Sequence, residues 1–483
     1  MSEARILTEQ DCRDIFERVK AFARGGGDTR VFISSWWQGE LRWARNRVSL
    51  SSDRRDVEIS VTRTLERGGR RGVTTNQLDD HSLEAAVRAA ERMSKLDHSP
   101  GRGFGFEPPQ QKYPMPDSAP VWSPATVGAS TLERGEVARS MIAPAETAGL
   151  YSAGYLEVRA ASRMVLNTEV TDPQPGDGEY TQSSYVRWTQ AQCSTTVRDA
   201  SGTGSGWAGL SSYDWDRVHD EAGALAERAV QKCKASRNPV ALEPGRYTVI
   251  LEPQAVADLM AFFVASLRRN SAESGAGPWK LTIDDALTTD PSKPFWHTKL
   301  GLKVVDERIT ISHDPMDPWQ SIIMPRFDEP GPVTWIERGV LKNLYYPLLS
   351  TGLELGRRHS LRGAVGYRIS SGDTSMEEMI RSTRRGLLVT RFSNLKLLDE
   401  DSLLTTGLTR DGLWLIENGE ITKAVKNFRF TESPLFVLNN VEQIGEAVPV
   451  FRPTKEEDGE LTPAIVPPIK ARDFSFTSLI DAV

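Results

Sequence analysis

The sequence predicts an α+β fold, in which N-terminal α+β units precede a β-rich C-terminal domain. In the first half, amphipathic helical segments are interspersed with strand-like alternation, whereas hairpin signals dominate after Tyr247. The chain of 483 residues also exceeds what one hydrophobic core usually serves, so several domains are expected. We predict domains at 1–110, 126–236 and 237–483, with the Pro- and Gly-rich residues 99–125 as a linker or a long crossing loop.

The first domain is predicted to open with a capped amphipathic helix. Thr8 and Asp11 have the T-x-x-D spacing of a capping box. The apolar residues that follow recur with helical spacing and form an inner stripe of Cys12, Ile15, Phe16, Val19 and Phe22. Strict alternation then predicts a strand through Val57, Ile59 and Val61. A second helix is expected to bury a stripe made of Leu83, Val87, Ala90, Met93 and Leu96.

The second domain is predicted to contain a helix, strands around residues 153–166 and 184–198, and a glycine-rich loop. It closes with a long helix whose inner positions are Val218, Ala222, Leu225, Ala229 and Cys233. The sequence "KASRNPVALEPG" then separates this helix from the third domain.

The third domain begins with a predicted buried strand, "RYTVIL", and a helix within residues 252–275. The inward stripe of this helix consists of Val256, Leu259, Met260, Phe263 and Leu267. Its opposite side is also apolar, so the helix is predicted to be covered on most sides. Two hairpins are expected further on, in "VTWIERGVLKNLYY" and in "GLWLIENGEITKAV", where Asn418-Gly419 suits a type I′ turn.

Composition is that of an ordinary globular protein, with 39% hydrophobic and 26% charged residues and a net charge of −6. This balance favours no polyanionic partner, so nucleic-acid binding is not expected. The N-terminus has no signal-peptide core and no run of 18 apolar residues occurs, which predicts a cytoplasmic protein without membrane contact. Three widely spaced cysteines, Cys12, Cys193 and Cys233, fit a reducing compartment.

Two glycine-rich matches to nucleotide-binding motifs have simpler explanations. "GSGWAG" matches G-x-G-x-x-G at Gly204, Gly206 and Gly209, but no βαβ unit surrounds it and the next helix is expected to start later. A flexible loop between strands is therefore predicted there. "GLTRDGLW" has P-loop glycine spacing, but Leu413 and Trp414 stand where Lys and Ser/Thr are required.

No metal-binding or nucleophile motif is recognisable in the sequence. No two of the six histidines lie within ten residues of each other, and neither C-x-x-C nor H-E-x-x-H occurs. His219 lies in an amphipathic helix and is interpreted as a structural residue. His313 ends an alternating strand and is a candidate to face a cleft. G-x-S-x-G is also absent, so the residues alone show no catalytic set.

Several segments, in order along most of the chain, resemble the TldD/PmbA family. They are "RRGVTTNQLDDHSLEAAVRAAERM", "ALEPGRYTVILEPQAVADLM", "ITISHDP", "RFDEPGPVTWIERGVLKNLYY", "SGDTSMEEMI" and "TGLTRDGLWLIENGEI". Members of this family were once labelled modulators of DNA gyrase and later recognised as peptidases. The resemblance implies a C-terminal domain of TldD/PmbA type and a cytoplasmic, heterodimeric zinc metalloprotease.

The resemblance also implies where zinc would be held. One subunit type of the family carries H-E-x-x-x-H on the helix after the "VIL-P" strand, with a C-terminal cysteine as a further ligand. Laid on this sequence, the motif puts Ala261 and Ser266 at the histidine positions and Phe262 at the glutamate. No histidine or glutamate lies between Pro253 and Asn270, and all three cysteines precede residue 234. The resemblance is therefore to the TldE/PmbA-like subunit, with no catalytic residue, metal ligand or cofactor in this chain and zinc in its partner.

The leading hypothesis is a non-catalytic subunit that pairs with a zinc-bearing TldD-like subunit and helps to enclose and cleave an unfolded peptide. The alternatives are an adaptor or modulator that binds a protein without proteolysis, and an autonomous hydrolase with an unrecognised site. The basic segment "RRHSLRGAVGYR" is either a solvated surface or a wall of the peptide chamber. As a wall, it would bind backbone carbonyls or a terminal carboxylate through Arg357, Arg358, His359 and Arg362.

Overall fold

The computed structural model describes residues 5–65, 69–96, 121–168, 183–281, 298–314, 317, 319, 332–345, 366–450 and 464–480. Within these residues the chain combines helices with three β-sheets, and the C-terminal half is rich in strands. The predicted α+β architecture is therefore confirmed. Most of the predicted linker at 99–125 lies outside the described residues. No helix in the described parts of the chain is long and apolar enough to cross a membrane.

The N-terminal half is built on one antiparallel sheet of six strands, called the N-terminal sheet below. Its strands are β1 (Asp28–Ala44), β2 (Arg47–Thr64), β3 (Arg70–Thr75), β4 (Tyr151–Asn167), β5 (Ser183–Arg198) and β6 (Ser205–Ser212). They lie in the order β3-β2-β1-β4-β5-β6, so β1 of the first predicted domain pairs with β4 of the second. Residues from both domains thus contribute to one sheet, and the domain division itself stays a prediction.

Helices cover one face of the N-terminal sheet. They are α1 (Glu9–Phe22), α2 (Asp80–Leu96), α3 (Pro124–Gly128), α4 (Thr131–Thr147) and α5 (Trp215–Ala235). Alternate residues of β1 point towards them, with Val31 and Ile33 packing near α1 and α2 and Trp37 and Leu41 near α4 and α5. This arrangement follows from the period-two alternation of the strand, which sends every second side chain to the same face.

The start of α1 matches the sequence prediction. The Thr8 hydroxyl accepts a hydrogen bond from the Asp11 backbone N–H at 3.2 Å, and the Asp11 carboxylate accepts one from the Thr8 N–H at 2.8 Å. The predicted capping box is therefore confirmed. The residues of its inner stripe that are buried are Cys12, Ile15, Phe16 and Val19.

The predicted inner stripe of α2 is wrong in its last two turns. Met93 and Leu96 are 44% and 75% exposed. Their places on the inner face are taken by polar residues: Glu91 lies 3.5 Å from Nε of the buried Arg63, and the Ser94 hydroxyl donates to the Arg63 carbonyl at 2.7 Å. A buried cation needs such partners, so the polar contacts decide the rotation of the helix end.

The "GSGWAG" segment is a strand and not the predicted flexible loop. It forms β6, which pairs with β5 along its whole length. Gly206 lies directly against α5, because a β-carbon at this position would lie 2.1 Å from the carbonyl oxygen of Ala229 and 2.4 Å from the backbone nitrogen of Cys233. The glycine thus permits close packing of a strand on a helix.

The C-terminal half contains a ring of five strands, called the C-terminal barrel below. Its strands are β7 (Gly245–Leu251), β12 (Arg385–Asp399), β13 (Leu404–Glu417), β15 (Phe428–Glu432) and β19 (Ile469–Leu479). They follow one another in the order β12-β7-β19-β15-β13, and pairing of β12 with β13 closes the ring. Two further strands extend it, β14 (Glu420–Ala424) beside β13 and β16 (Val441–Ile444) beside β19.

A second C-terminal sheet packs with the barrel in one large hydrophobic core. Its strands are β8 (Ile311–His313), β9 (Val333–Glu337), β10 (Val340–Leu341), β11 (Tyr367–Ile369), β17 (Val448–Pro449) and β18 (Ala464–Val466), in the order β10-β9-β8-β11-β18-β17. The helices among the described residues of this half are α6 (Pro253–Leu259), α7 (Phe263–Ser266), α8 (Arg269–Glu273), α9 (Met376–Arg381) and α10 (Pro434–Asn439).

Both predicted hairpins are present in the C-terminal half. Asn418 and Gly419 have φ values of 53° and 85° and connect β13 to β14. Arg338 and Gly339, with φ values of 47° and 78°, connect β9 to β10. Positive φ at both central residues is the geometry that a two-residue type I′ turn requires.

Candidate functional site

The candidate site is the helical segment 253–266, which follows β7 and carries the positions at which the family resemblance expects zinc ligands. It consists of α6, a 3₁₀ turn at Met260–Phe262 and α7, called the site helix below. The predicted inward residues Val256, Leu259, Met260 and Phe263 of this helix are buried, as is Leu267, the residue after it. They pack into the large C-terminal core, so the apolar stripe has a structural role.

The outward side of the site helix is more open than the sequence suggested. Ala261 and Ala265 are exposed, and Phe262 and Ser266 are half-buried. The prediction that the helix is covered on most sides is therefore wrong for these positions. The helix is also shorter than its predicted inward stripe, because it ends at Ser266, one residue before Leu267.

The C-terminal end of the site helix is fixed by Tyr345. The Tyr345 N–H donates to the Leu267 carbonyl at 2.9 Å, and the Arg269 N–H donates to the Tyr345 carbonyl at 2.7 Å. The Tyr345 hydroxyl donates to the Ala265 carbonyl at 3.3 Å and accepts from Nε of Arg268 at 3.1 Å. These strand-like bonds to residue 345 are made by backbone that would otherwise continue the helix, which explains its early end.

The N-terminal part of the site helix is held by two carboxylates. Glu252, the residue before the helix, forms an ion pair with Lys232 of α5 at 2.6 Å, and its own N–H donates to the Val389 carbonyl at 3.0 Å. Near the other end of α6, Asp258 accepts a hydrogen bond from the Phe392 N–H at 3.0 Å. Both ends of α6 are therefore tied to β12, within residues 389–392.

The residues at the candidate zinc positions do not fit a zinc ion. Zinc in proteins is held by about three or four Cys, His or carboxylate ligands. Ala261 and Phe262 carry no donor, and the Ser266 hydroxyl already donates to the Phe263 carbonyl at 2.6 Å and accepts from Trp279 Nε1 at 3.1 Å. Among the described residues no group of three His, Cys, Asp or Glu side chains is arranged to hold a metal ion.

The three cysteines are buried residues of the N-terminal half. Burial raises the pKa of Cys12 and Cys193 to about 12 and the pKa of Cys233 to about 11. Cys193 and Cys233 belong to the core between the N-terminal sheet and the helices α4 and α5, and Cys12 belongs to the core around α1. They act as small apolar side chains, and their protonated thiols are poor metal ligands and nucleophiles.

The basic segment and the two histidines that the sequence analysis considered lie in different surroundings. Arg357, Arg358, His359 and Arg362 lie outside the described residues. At the end of the same basic segment, Arg368 lies in β11 and pairs with Asp317 at 2.9 Å. His313 is 3% exposed, so it packs in the interior and does not line an open cleft. His219 is an exposed residue of α5, and its Nδ1 lies 3.0 Å from a carboxylate oxygen of Asp220.

Two residues that the sequence did not single out lie where the barrel meets the N-terminal sheet. Asp411 of β13 is 1% exposed and pairs with Arg391 of β12, and it lines a pocket of about 300 Å³ together with Ser205 and Lys426. The only hint in the sequence is the dipeptide Asp411-Gly412 inside a strand pattern, which signals an irregularity. The pairing of the Asp411 carboxylate with Arg391 cannot be read from their spacing in the sequence.

Comparisons with known proteins agree with this architecture. Residues 244–478 match the PmbA/TldA metallopeptidase C-terminal domain. The fold is similar to that of TldE from Thermococcus kodakarensis, with a TM-score of 0.73 at 17% identity over 97% of this chain and 100% of that one. A putative modulator of DNA gyrase from Thermotoga maritima gives a TM-score of 0.73 at 16% identity over 96% and 100% of the two chains.

A third solved structure, a putative modulator of DNA gyrase from Bacteroides thetaiotaomicron, gives a TM-score of 0.72 at 14% identity, with 98% of this chain and 100% of that chain covered. A comparison with curated protein sequences gave no match. At these identities the solved structures show the shared fold, while the C-terminal domain match supplies the family. The C-terminal domain of this chain, residues 244–478, therefore belongs to the TldD/PmbA family.

Proposed function

We propose that this chain is the non-catalytic, TldE/PmbA-like subunit of a heterodimeric zinc metalloprotease. In this proposal a TldD-like partner supplies the zinc ion and the residues that activate water. This chain supplies part of the wall of the chamber that encloses an unfolded peptide. The complex is expected in the cytoplasm, with neither nucleic acid nor membrane as a partner.

One observation carries the proposal: the site helix keeps its packing but presents no chemical group for catalysis on its open side. Its inward stripe is buried, whereas the open side carries Ala261 and Ala265 with Phe262 and Ser266 beside them. Metal-assisted hydrolysis needs protein ligands, an open coordination position and a base. Small side chains on an open helix face suit a wall that a peptide must pass.

The proposal is tested by mixing this chain with a zinc-bearing TldD-like subunit from the same cell. Cleavage of a fluorogenic, unstructured peptide is expected only in the mixture, and chelation of zinc should abolish it. Sedimentation of the mixture should show a heterodimer, whose interface is expected to bury about 2,000 Å² or more. Cleavage by this chain alone in the presence of a chelator would contradict the proposal. Binding to the partner without any cleavage would support the adaptor alternative.

A substitution on the open face of the site helix sharpens this test. Ala261→Trp adds a large ring where the peptide is proposed to pass, so peptide cleavage by the complex should fall by about tenfold or more, with unchanged assembly. Ala224→Trp is the matched control, because Ala224 is also an exposed alanine on a helix but lies on α5. Equal activity of the two variants would remove the site helix from the chamber. The role of the basic segment around Arg357 stays a prediction.

A further inference from the structure

A group of buried residues links the C-terminal barrel to the N-terminal sheet at an irregularity in the β12–β13 pairing. The register shifts between Val389 and Arg391 on β12, where Arg391 faces Arg410 and Val389 faces Leu413. On the other strand, Asp411 and Gly412 fill the shift with φ values of 55° and 138°. Asp411 is one of the described non-glycine residues with positive φ and is nearly inaccessible, so its conformation must be held by its contacts.

The Asp411 carboxylate is engaged from both halves of the molecule. Nε of Arg391 donates to Oδ2 at 2.8 Å, and a terminal nitrogen of Arg391 bonds the same oxygen. The hydroxyl of Ser205, in β6 of the N-terminal sheet, donates to Oδ1 at 2.5 Å. The Arg391 guanidinium lies 4.6 Å from the ring centre of Trp207, also in β6. The Asp411–Arg391 ion pair of the barrel therefore contacts β6, an edge strand of the N-terminal sheet.

The same short segment of β12 holds the site helix. The Val389 carbonyl accepts the N–H of Glu252 and the Phe392 N–H donates to Asp258, so the two bonds bracket α6 from either end. Arg391 lies between these two positions. A shift of the Arg391 backbone would also move residues 389 and 392, because each peptide unit is planar and consecutive Cα atoms are a fixed distance apart.

We propose that Asp411 and Arg391 are positioning residues that set the place of the site helix through segment 389–392 of β12. The Ser205 and Trp207 contacts make this position depend on how the N-terminal sheet is seated on the barrel. In this proposal Asp411 and Arg391 act through β12 and not by binding a substrate. The relevance of the site helix to peptide cleavage rests on the proposed function, whereas the positioning itself does not.

Hydrogen exchange of the isolated full-length chain tests the positioning without any partner. Asp411→Asn keeps the size of the side chain but removes the charge that Arg391 binds, so amides of residues 253–266 should exchange about tenfold faster. Amides of α1, far along the chain in another core, should not change. Arg410→Ala is the matched control, because Arg410 is a neighbouring arginine whose Nε lies 3.8 Å from Asp411 and whose side chain is 38% exposed.

A double variant separates positioning from general loosening. If Asp411 acts through β12, then Asp258→Asn should itself speed exchange in the site helix, and Asp411→Asn should add much less than its single effect. Unchanged exchange in Asp411→Asn, an equal effect of Arg410→Ala, or full additivity in the double variant would each overturn the proposal. In the mixed complex, Asp411→Asn should lower peptide turnover where Arg410→Ala does not. If the complex with the unmodified chain has no activity, that result counts against the proposed function. The positioning proposal is then decided by the hydrogen-exchange measurements alone.

Discussion

Alanines are frequent where α4 and α5 pack on the N-terminal sheet, whereas phenylalanines are clustered inside the C-terminal barrel. Between the N-terminal sheet and the helices α4 and α5, small residues recur: Ala138, Ala145, Ala160, Ala191, Ala222, Ala226 and Ala229. The strands of the barrel instead bring together five phenylalanines, namely Phe392, Phe428, Phe430, Phe474 and Phe476. Neighbouring rings in this cluster have centroids between 4.4 and 5.7 Å apart.

This difference predicts opposite sensitivities in the two regions. Small residues let the α5 backbone approach β6 closely, so the N-terminal layer leaves no room for added volume. Large aromatic side chains fill the interior of the barrel, so its stability should fall most when side-chain volume is removed. The following substitutions test this contrast, beginning with the largest expected effect.

The largest effect is expected from Phe430→Ala in the barrel. Phe430 is fully buried, with its ring centroid 4.4 Å from that of Phe392 and 5.4 Å from that of Phe474. The loss of a buried aromatic ring and the cavity it leaves should reduce the free energy of unfolding by about 3–5 kcal/mol. Denaturant unfolding followed by circular dichroism measures this loss. Leu398→Ala, at a position that is 56% exposed, should change little, and an equal loss there would contradict the contrast.

The N-terminal layer should show the reverse sensitivity at Gly206. Gly206→Ala places a methyl group 2.1 Å from the Ala229 carbonyl oxygen, so the sheet or α5 must shift, and we expect a loss of about 1–3 kcal/mol. Gly223→Ala is the matched control within α5, because a β-carbon there meets nothing within 4 Å. This variant should gain about 0.5–1 kcal/mol from helix propensity. The contrast is broken when both variants change stability in the same direction.

Local signals in the sequence predicted the local parts of this structure. Thr8 and Asp11 specify a capping box within four residues, and Asn418-Gly419 specifies a turn within two. The inward stripe of the site helix was likewise readable, because burial of Val256 and Leu259 follows from helical spacing. In each case the local structure is determined by contacts within the element or by the spacing of its apolar residues.

The failures occurred where a distant residue decides the local structure. "GSGWAG" was predicted as a loop, yet Gly206 is needed because α5 lies against it. Met93 was predicted to lie on the buried face of α2, yet Glu91 is buried instead because it pairs with Arg63. The site helix was predicted to continue past Ser266, yet Tyr345 captures the backbone at residues 267–269. Such pairings depend on tertiary contacts, which override local propensity.

For the candidate site, the family resemblance names positions, but the contacts that support them are not readable from the sequence. The positions Ala261, Phe262 and Ser266 were named from the family resemblance, and the structure places them together on the open side of the site helix. The supports of that helix, Asp258 bonded to β12 and Asp411 bonded to Arg391, were not found. Asp258 and Phe392 are 134 positions apart, and Arg391 meets Asp411 only because the β12–β13 register shifts there, so no spacing rule predicts either contact.

The smallest effect is expected from a pH-dependent contact on the barrel side of the molecule. The side-chain hydrogen bond from Arg308 holds the pKa of Asp306 below its usual value. Arg308 in turn donates to the Glu442 carbonyl at 2.8 Å, which ties residues 306–308 to β16. Because the pKa is lower in the folded chain, the contact stabilises the fold above the unfolded-state pKa of about 3.9 and ceases to do so as pH falls through the folded-state pKa.

Asp306→Asn should therefore lose about 1–2 kcal/mol at pH 7, less than the roughly 1.5–3 kcal/mol typical of a hydrogen bond to a charged group because the Arg308 side chain is 45% exposed, and this deficit should disappear in strong acid. Glu307→Gln is the matched control, because its pair with Lys303 spans 3.6 Å between side chains that are 71% and 58% exposed. Such a surface pair should change the free energy of unfolding by less than about 1 kcal/mol. The measurement is the difference in unfolding free energy between each variant and the unmodified chain from pH 2 to 7. A deficit of Asp306→Asn that persists at pH 2 would show that shape, and not the ionised carboxylate, holds this part of the barrel to its neighbours.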